Sequence, residues 1–207
     1  PACHDWDHTL RVYKNACTLM ERTKAVHDAS LPTFNELIVK VASLMHDIGR
    51  PKELSDCGKT NHAAYGAALA KEWLRAIGVT DNAFIEAVAA CIRSHRFRKR
   101  DGNTIPATLE ERFVYDADKL DSIGAIGIGR SFHFAGRTGA RVHNHEDEAL
   151  SGKSYGREDS AYREYLVKLK DVRNSMLTQA GRQLALHRHD FMVGFFEELN
   201  RECFEDL

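Results

Sequence analysis

Only four prolines interrupt the 207 residues of this chain. Proline inside a helix removes a backbone hydrogen bond and clashes with the preceding turn, so its scarcity leaves room for long, unbroken helices. The apolar residues follow that option. Leu10, Tyr13, Cys17 and Met20 recur at helical spacing, with Val12, Ala16 and Leu19 beside them. Thr33 and Glu36 form a capping-box pattern ahead of Leu37, Ile38, Val41, Leu44, Met45 and Ile48, and Gly49 and Pro51 read as the stop. An Ala-rich helix over 61–77 ends at Gly78, and Thr80 or Asp81 caps the next, which bears Phe84, Ile85, Val88 and Ile92. Thr108 and Glu111 form another capping box ahead of Phe113, Ala117, Leu120 and Ile123. Glycines at 124, 127, 129, 136, 139, 152 and 156 punctuate the next stretch. They predict a short helical or turn segment and then a long surface loop, with 134–159 a candidate lid. Helices over about 160–177 and 179–205 close the chain. Almost no alternating β pattern appears. The expected fold class is all-α, a helical bundle forming a single domain over 1–207, because no linker separates two parts.

Composition narrows the function. Apolar residues make up 43% and charged residues 29%, as in an ordinary globular protein. Twenty-nine Lys and Arg against 30 Asp and Glu leave a net charge of −1, so duplex nucleic acid is not an expected partner. The basic run Arg96, Arg98, Lys99 and Arg100 reads as a solvated loop, offset by acidic stretches at 145–148 and 158–159. Cys3, Cys17, Cys57, Cys91 and Cys203 are dispersed with no CxxC pair. That pattern favours reduced thiols and a cytoplasmic protein and excludes a zinc ribbon. No apolar stretch is long enough to span a membrane and no signal-peptide pattern opens the chain, so no membrane partner is expected.

The eleven histidines carry the chemistry. His46 and Asp47 are adjacent at the end of an apolar helix. His8 lies in the first helix, and Asp118 in the run Tyr115-Asp116-Ala117-Asp118-Lys119-Leu120-Asp121. Two imidazoles and two carboxylates form a mixed nitrogen–oxygen set that suits Mn, Fe, Co or Zn better than Mg or Ca. Such a set leaves positions open for water and substrate. His62 opens the third expected helix and His95 closes the fourth. Each is placed to complete a second metal site or bind a phosphate oxygen, or equally to serve its helix end.

On His8-Thr9-Leu10-Arg11-Val12, His46-Asp47-Ile48-Gly49 and Asp116-Ala117-Asp118-Lys119-Leu120-Asp121, the chain resembles the HD-domain superfamily of metal-dependent phosphohydrolases. The run His4-Asp5-Trp6-Asp7-His8, the stretch from Asp116 to Arg130, and the segment through His189-Asp190-Phe191-Met192 look like a subgroup of small stand-alone bacterial and archaeal members. The resemblance implies a metal-binding core over about 1–130, followed by a loop and C-terminal helices over about 131–207. It implies that His8, His46, Asp47 and Asp118 hold a divalent transition metal and are the catalytic set. Mn is the first choice, with Fe, Co, Ni, Zn and Mg as further candidates. Asp118 is preferred to Asp116 because the superfamily's late ligand follows a small residue. Asp118 and Asp121 also share a helix face. Binuclear members use two middle histidines, which His62 and His95 would match.

The implied reaction is hydrolysis of a phosphomonoester or pyrophosphate bond in a small phosphorylated substrate, a nucleotide by resemblance, by a metal-activated water. Phosphoryl transfer rests on positioning and charge neutralisation. Arg11, Arg50, Lys52, His62, His95 and Lys119 are therefore substrate-binding candidates. Asp121 joins them as a substrate contact or a hydrogen-bond partner of a ligand histidine, or equally as a solvated helix residue or a structural ion-pair partner. His4 and Asp5 are substrate contacts or a helix cap. His143 and His145 read as part of the solvated loop. Gly124, Gly127 and Gly129 lack P-loop spacing and read as sites of close helix packing or backbone flexibility. The GYP-type motif of cyclic-dinucleotide phosphodiesterases is absent. Two other classes stand as alternatives: a metal- or nucleotide-binding sensor without turnover, and a di-iron oxygenase-like enzyme that needs His62 and His95 as ligands.

Overall fold

A computed structural model describes residues 5–26, 32–56, 58–96 and 105–204. His4 and the run Arg98, Lys99 and Arg100 lie outside them. Among the described residues the chain is all-α, with helices and no strand. It divides into two compact units, residues 1–118 with 177–181, and residues 119–176 with 182–207.

In the first unit α1 (Trp6–Ala25) buries His8, Val12, Ala16, Leu19 and Met20, one stripe at helical spacing. Asp5 caps it by accepting from His8 N at 3.0 Å. α2 (Glu36–Met45) packs against α1 and α5 (Asn82–Ser94) and buries Ile38, Val39, Ala42 and Ser43. Its cap is Asn35, whose side chain accepts from Leu37 N and Ile38 N. The expected Thr33 cap is thus displaced by two residues, because Asn caps as well as Thr and directly precedes the first helical residue. α4 (His62–Ala76) lies against α5. Its buried Ala63, Ala67 and Ala70 let the backbones approach closely over Ile85, Val88 and Ile92. Asp81 caps α5. α6 (Leu109–Leu120) opens with Thr108 Oγ accepting from Glu111 N at 3.3 Å. Its Phe113, Val114, Tyr115 and Ala117 are fully buried.

Two expectations fail here. The helix after Asn35 ends at Met45, before Gly49, and Pro51 starts rather than stops a helix. It sits in the first turn of α3 (Arg50–Ser55), where its missing N–H costs nothing. Gly49 serves a contact: a Cβ there would lie 2.1 Å from the His62 carbonyl oxygen.

The second unit holds a larger correction. The region expected to be a long loop contains α7 (Gly124–Thr138) and α8 (Glu146–Ser151), so 134–159 is not a structureless lid. Gly127 sits in α7 because a Cβ would meet Ser122 O at 2.2 Å, a close packing that only glycine permits. Gly124 takes φ of +75°. α8 is secured by Glu148, whose carboxylate accepts from His145 N at 3.1 Å. His143, expected in a solvated loop, is buried and bonds Asn200 at 2.8 Å. The segment from Ala161 to Ser175 is helical in short pieces, α9 (Ala161–Glu164), a π turn (Tyr165–Leu169), α10 (Lys170–Val172) and a 3₁₀ turn (Arg173–Ser175). α11 (Gln179–Phe204) follows, and its Phe195 and Phe196 pack on Phe132. No helix among the described residues is long and apolar enough to cross a membrane.

Candidate metal centre

Four elements of the first unit bring histidines and carboxylates together. His8 projects from the first turns of α1, and His46 is the C-cap of α2. Asp47 lies in the turn that leads to α3, and Asp118 in α6. Asn15 of α1 donates to Ala117 O at 3.1 Å, which ties the His8 helix to the backbone just before Asp118.

The four side chains predicted as ligands converge. His8 Nε2 and His46 Nε2 are 3.2 Å apart. Asp47 Oδ2 lies 3.6 Å from the first and 3.7 Å from the second. Asp118 Oδ1 lies 3.6 Å and 4.0 Å from the same two nitrogens. Donor atoms about 2.1 Å from one cation stand roughly 3.0–3.4 Å apart at right-angled to tetrahedral spacing. The His8–His46 separation lies in that range and the others exceed it. The chemistry of the donor set, two imidazole nitrogens and two carboxylates turned toward one another, is what fits a divalent metal. Asp116 points elsewhere. It accepts from Leu177 N, Thr178 N and Thr178 Oγ1 at 2.9, 2.8 and 2.7 Å, and so holds the chain entering α11.

His62 Nε2 and His95 Nε2 form a second group. They are 3.3 Å apart, and each lies 3.6 Å from Asp47 Oδ1. Asp47 therefore offers one oxygen to each pair of imidazoles, and the sets His8–His46–Asp47 and Asp47–His62–His95 each have the composition of a metal site.

Backbone carbonyls set the tautomers. His46 Nδ1 lies 2.8 Å from Ser43 O, and His95 Nδ1 lies 2.6 Å from Ile92 O. A carbonyl only accepts, so each Nδ1 carries the proton and each Nε2 turns a lone pair toward the carboxylates. His95 is thus a helix-capping residue and a candidate ligand at once. Burial pushes His46 down to about 4, so it is neutral near pH 7. Burial, with the Arg50 charge next in importance, also lowers His62.

Glu53 was not among the expected site residues. It sits one turn beyond Arg50 on α3, which was hidden behind Pro51 read as a stop. Its Oε2 accepts from Arg50 Nη1 at 2.7 Å and lies 2.9 Å from His62 Nδ1, off the line of the ring N–H. Its Oε1 takes Arg96 Nη2 at 3.3 Å. Burial raises the Glu53 carboxyl, but His62 and Arg50 together hold it below the usual range.

The remaining predicted contacts divide. Arg50 Nε donates to Asp47 Oδ1 at 3.1 Å, inside the cluster. Arg11 lies on α1 one turn after His8 and is half-buried. The His8 N–H holds the Asp5 carboxyl low against the opposing effect of burial, and the Arg11 charge adds a weaker pull in the same direction. Lys52 is exposed, with Asp56 Oδ2 4.0 Å away. Lys119 is buried in the last turn of α6. Within the second unit Asp121 accepts from Arg130 Nη1 at 2.9 Å, the structural ion pair that was one of the roles expected for it.

A helical fold that gathers His8, an adjacent His46 and Asp47, and a late aspartate in this order defines a class, and the chain belongs to the HD domain family, which it matches over residues 5–123. That family includes proteins described as HD-superfamily hydrolases. The chain is 33% identical to the Bacillus subtilis protein YpgQ over 201 residues, 96% of this chain and 84% of YpgQ. The crystal structure of YpgQ in complex with ADP is similar at a TM-score of 0.70 and 29% identity, covering 98% of this chain and 91% of that one. An HD-superfamily hydrolase from Bacillus thuringiensis is similar at a TM-score of 0.67 and 27% identity, covering 96% and 86%.

Proposed function

We propose that the protein is a metal-dependent phosphohydrolase that cleaves a phosphomonoester or pyrophosphate bond of a nucleotide. The convergence of His8, His46, Asp47 and Asp118 with the His46 ring locked as a donor is the observation that carries this reading. The solution of YpgQ with ADP supports a nucleotide as the substrate class.

His8, His46, Asp47 and Asp118 would hold the cation, with Mn first among the candidates for this nitrogen–oxygen set. A bound divalent cation lowers the pKa of water and draws charge from a phosphoryl oxygen. The chain's own residues do the rest. His46 stays unprotonated through the neutral range and keeps its Nε2 lone pair. Arg50, held by Asp47 and Glu53, presents a fixed guanidinium to phosphate charge. Arg11 and Lys119, each near a proposed ligand in the chain, are the next phosphate-binding candidates. His62 and His95 lie in the same cluster and are the candidates for a phosphate contact or for a second cation.

The test is Mn-dependent release of phosphate and pyrophosphate from a panel of nucleoside mono-, di- and triphosphates, with Asp47→Ala alongside. Release by the wild type alone supports the reading, and the product identifies the bond. Silence across the panel with metal bound would overturn the nucleotide assignment.

A further inference from the structure

The Asp47 oxygen that faces His62 and His95 already has a cation on it. Arg50 Nε donates to that same Oδ1 at 3.1 Å, while His62 Nε2 and His95 Nε2 stand 3.6 Å from it. Oδ2, toward His8 and His46, is the separate oxygen of the first group. Arg50 is held at a second point, through Nη1 to Glu53 at 2.7 Å, and Glu53 is in turn engaged by Arg96 at 3.3 Å. Two anchors on one short helix and the preceding turn fix the guanidinium in place. Its positive charge also contributes to the lowering of His62. A second divalent ion in the Asp47–His62–His95 group would have to share Oδ1 with this guanidinium, against like-charge repulsion in a poorly solvated site.

We infer that Arg50 is the built-in second cation of this centre. It occupies the charge position of a second metal and limits the chain to one divalent ion, bound at His8, His46, Asp47 and Asp118. The inference rests on the metal-centre reading above. Glu53 is the residue that positions Arg50 for this role. Without the guanidinium, Glu53 stays at the other ring nitrogen of His62 with Arg96 on it, while Asp47 Oδ1 faces the two imidazole nitrogens. That is the composition of a cation site, and a second ion would enter it.

The experiment is Mn²⁺ titration of the chelator-stripped full chain, read by metal analysis after gel filtration and by electron paramagnetic resonance. Wild type, Arg50→Met, Arg50→Gln and the double variant Arg50→Met/His62→Ala are compared, with circular dichroism to check the fold. The expected result is one Mn per chain with an uncoupled signal in the wild type. Both Arg50 variants should take two with a spin-coupled signal, and the double variant should return to one. Two ions in the wild type would overturn the inference without any variant. So would a single ion in a folded Arg50→Met or Arg50→Gln protein. A wild type that binds no ion would instead overturn the metal-centre reading, which keeps the two failures distinct.

Discussion

Gly49 and His62 meet backbone to backbone, so closely that a Cβ on Gly49 would lie 2.1 Å from the His62 carbonyl oxygen and 2.8 Å from Gly66 N. This contact seats the turn carrying Asp47 on the first turn of α4. Gly49→Ala must push the two apart. We expect a stability loss of about 1–3 kcal/mol from overpacking and metal affinity weakened by about tenfold or more. Thermal melts and metal titration of the same variant would check both. An unchanged affinity would show that the turn does not depend on this contact.

Two aspartates two residues apart should separate cleanly by phenotype. Asp116→Ala removes three hydrogen bonds to Leu177 and Thr178 and should lower stability by about 1–3 kcal/mol while metal stoichiometry is unchanged. Asp118→Ala should abolish metal retention and hydrolysis yet leave the melting of the stripped protein nearly unchanged. Differential scanning fluorimetry with and without chelator reads both. The reverse pattern would exchange the roles of the two residues.

The stripped protein should weaken in mild acid. His46 titrates at about 4 in the fold against about 6.5 in an open chain, so below 6.5 the unfolded state takes up a proton that the native state refuses. Its contribution is fully present above pH 6.5, falls as pH drops toward 4, and then levels off. For this residue alone the change is about 3 kcal/mol. His62 is shifted in the same direction and adds to the slope. Urea midpoints at pH 7.5, 6 and 5 would show the decline, and His46→Gln should flatten it.

Asp121 and Arg130 make a prediction confined to the second unit. Arg130 Nη1 donates to both the carboxylate and the main-chain oxygen of Asp121, each at 2.9 Å. The Asp121 side chain is 1% exposed. Arg130→Met should therefore cost about 3 kcal/mol, since it withdraws the partner of a buried charge. The Arg130→Met/Asp121→Asn pair should recover part of that loss in a double-mutant cycle. Additive effects would mean that the two residues act independently.

What was legible in the sequence depended on the range of the interactions involved. His8, His46 and Asp47 each sit in a short motif; periodicity placed their helices, and the resemblance of the motifs to the HD superfamily marked the residues as ligands. Asp118 was separable from Asp116 because the two point to different sides of one helix. Glu53 was hidden since α3 carries Pro51 in its first turn, and proline in a first turn looks like a stop unless the helix beyond it is already known. α7 was obscured by glycines that serve contact with Ser122 or, at Gly129 and Gly136, meet nothing at all. His143 gave no local sign of burial, because its partner Asn200 comes from 57 residues away.

His46 and His95 share one arrangement: each closes a helix and rests its Nδ1 on the carbonyl three residues earlier. The consequence is thermodynamic. A ring anchored within its own turn loses its rotational freedom when the helix forms, so that entropy is already spent before any ion arrives. Binding then has little side-chain ordering left to oppose it, and affinity at this centre is governed by charge and donor chemistry more than by induced rearrangement.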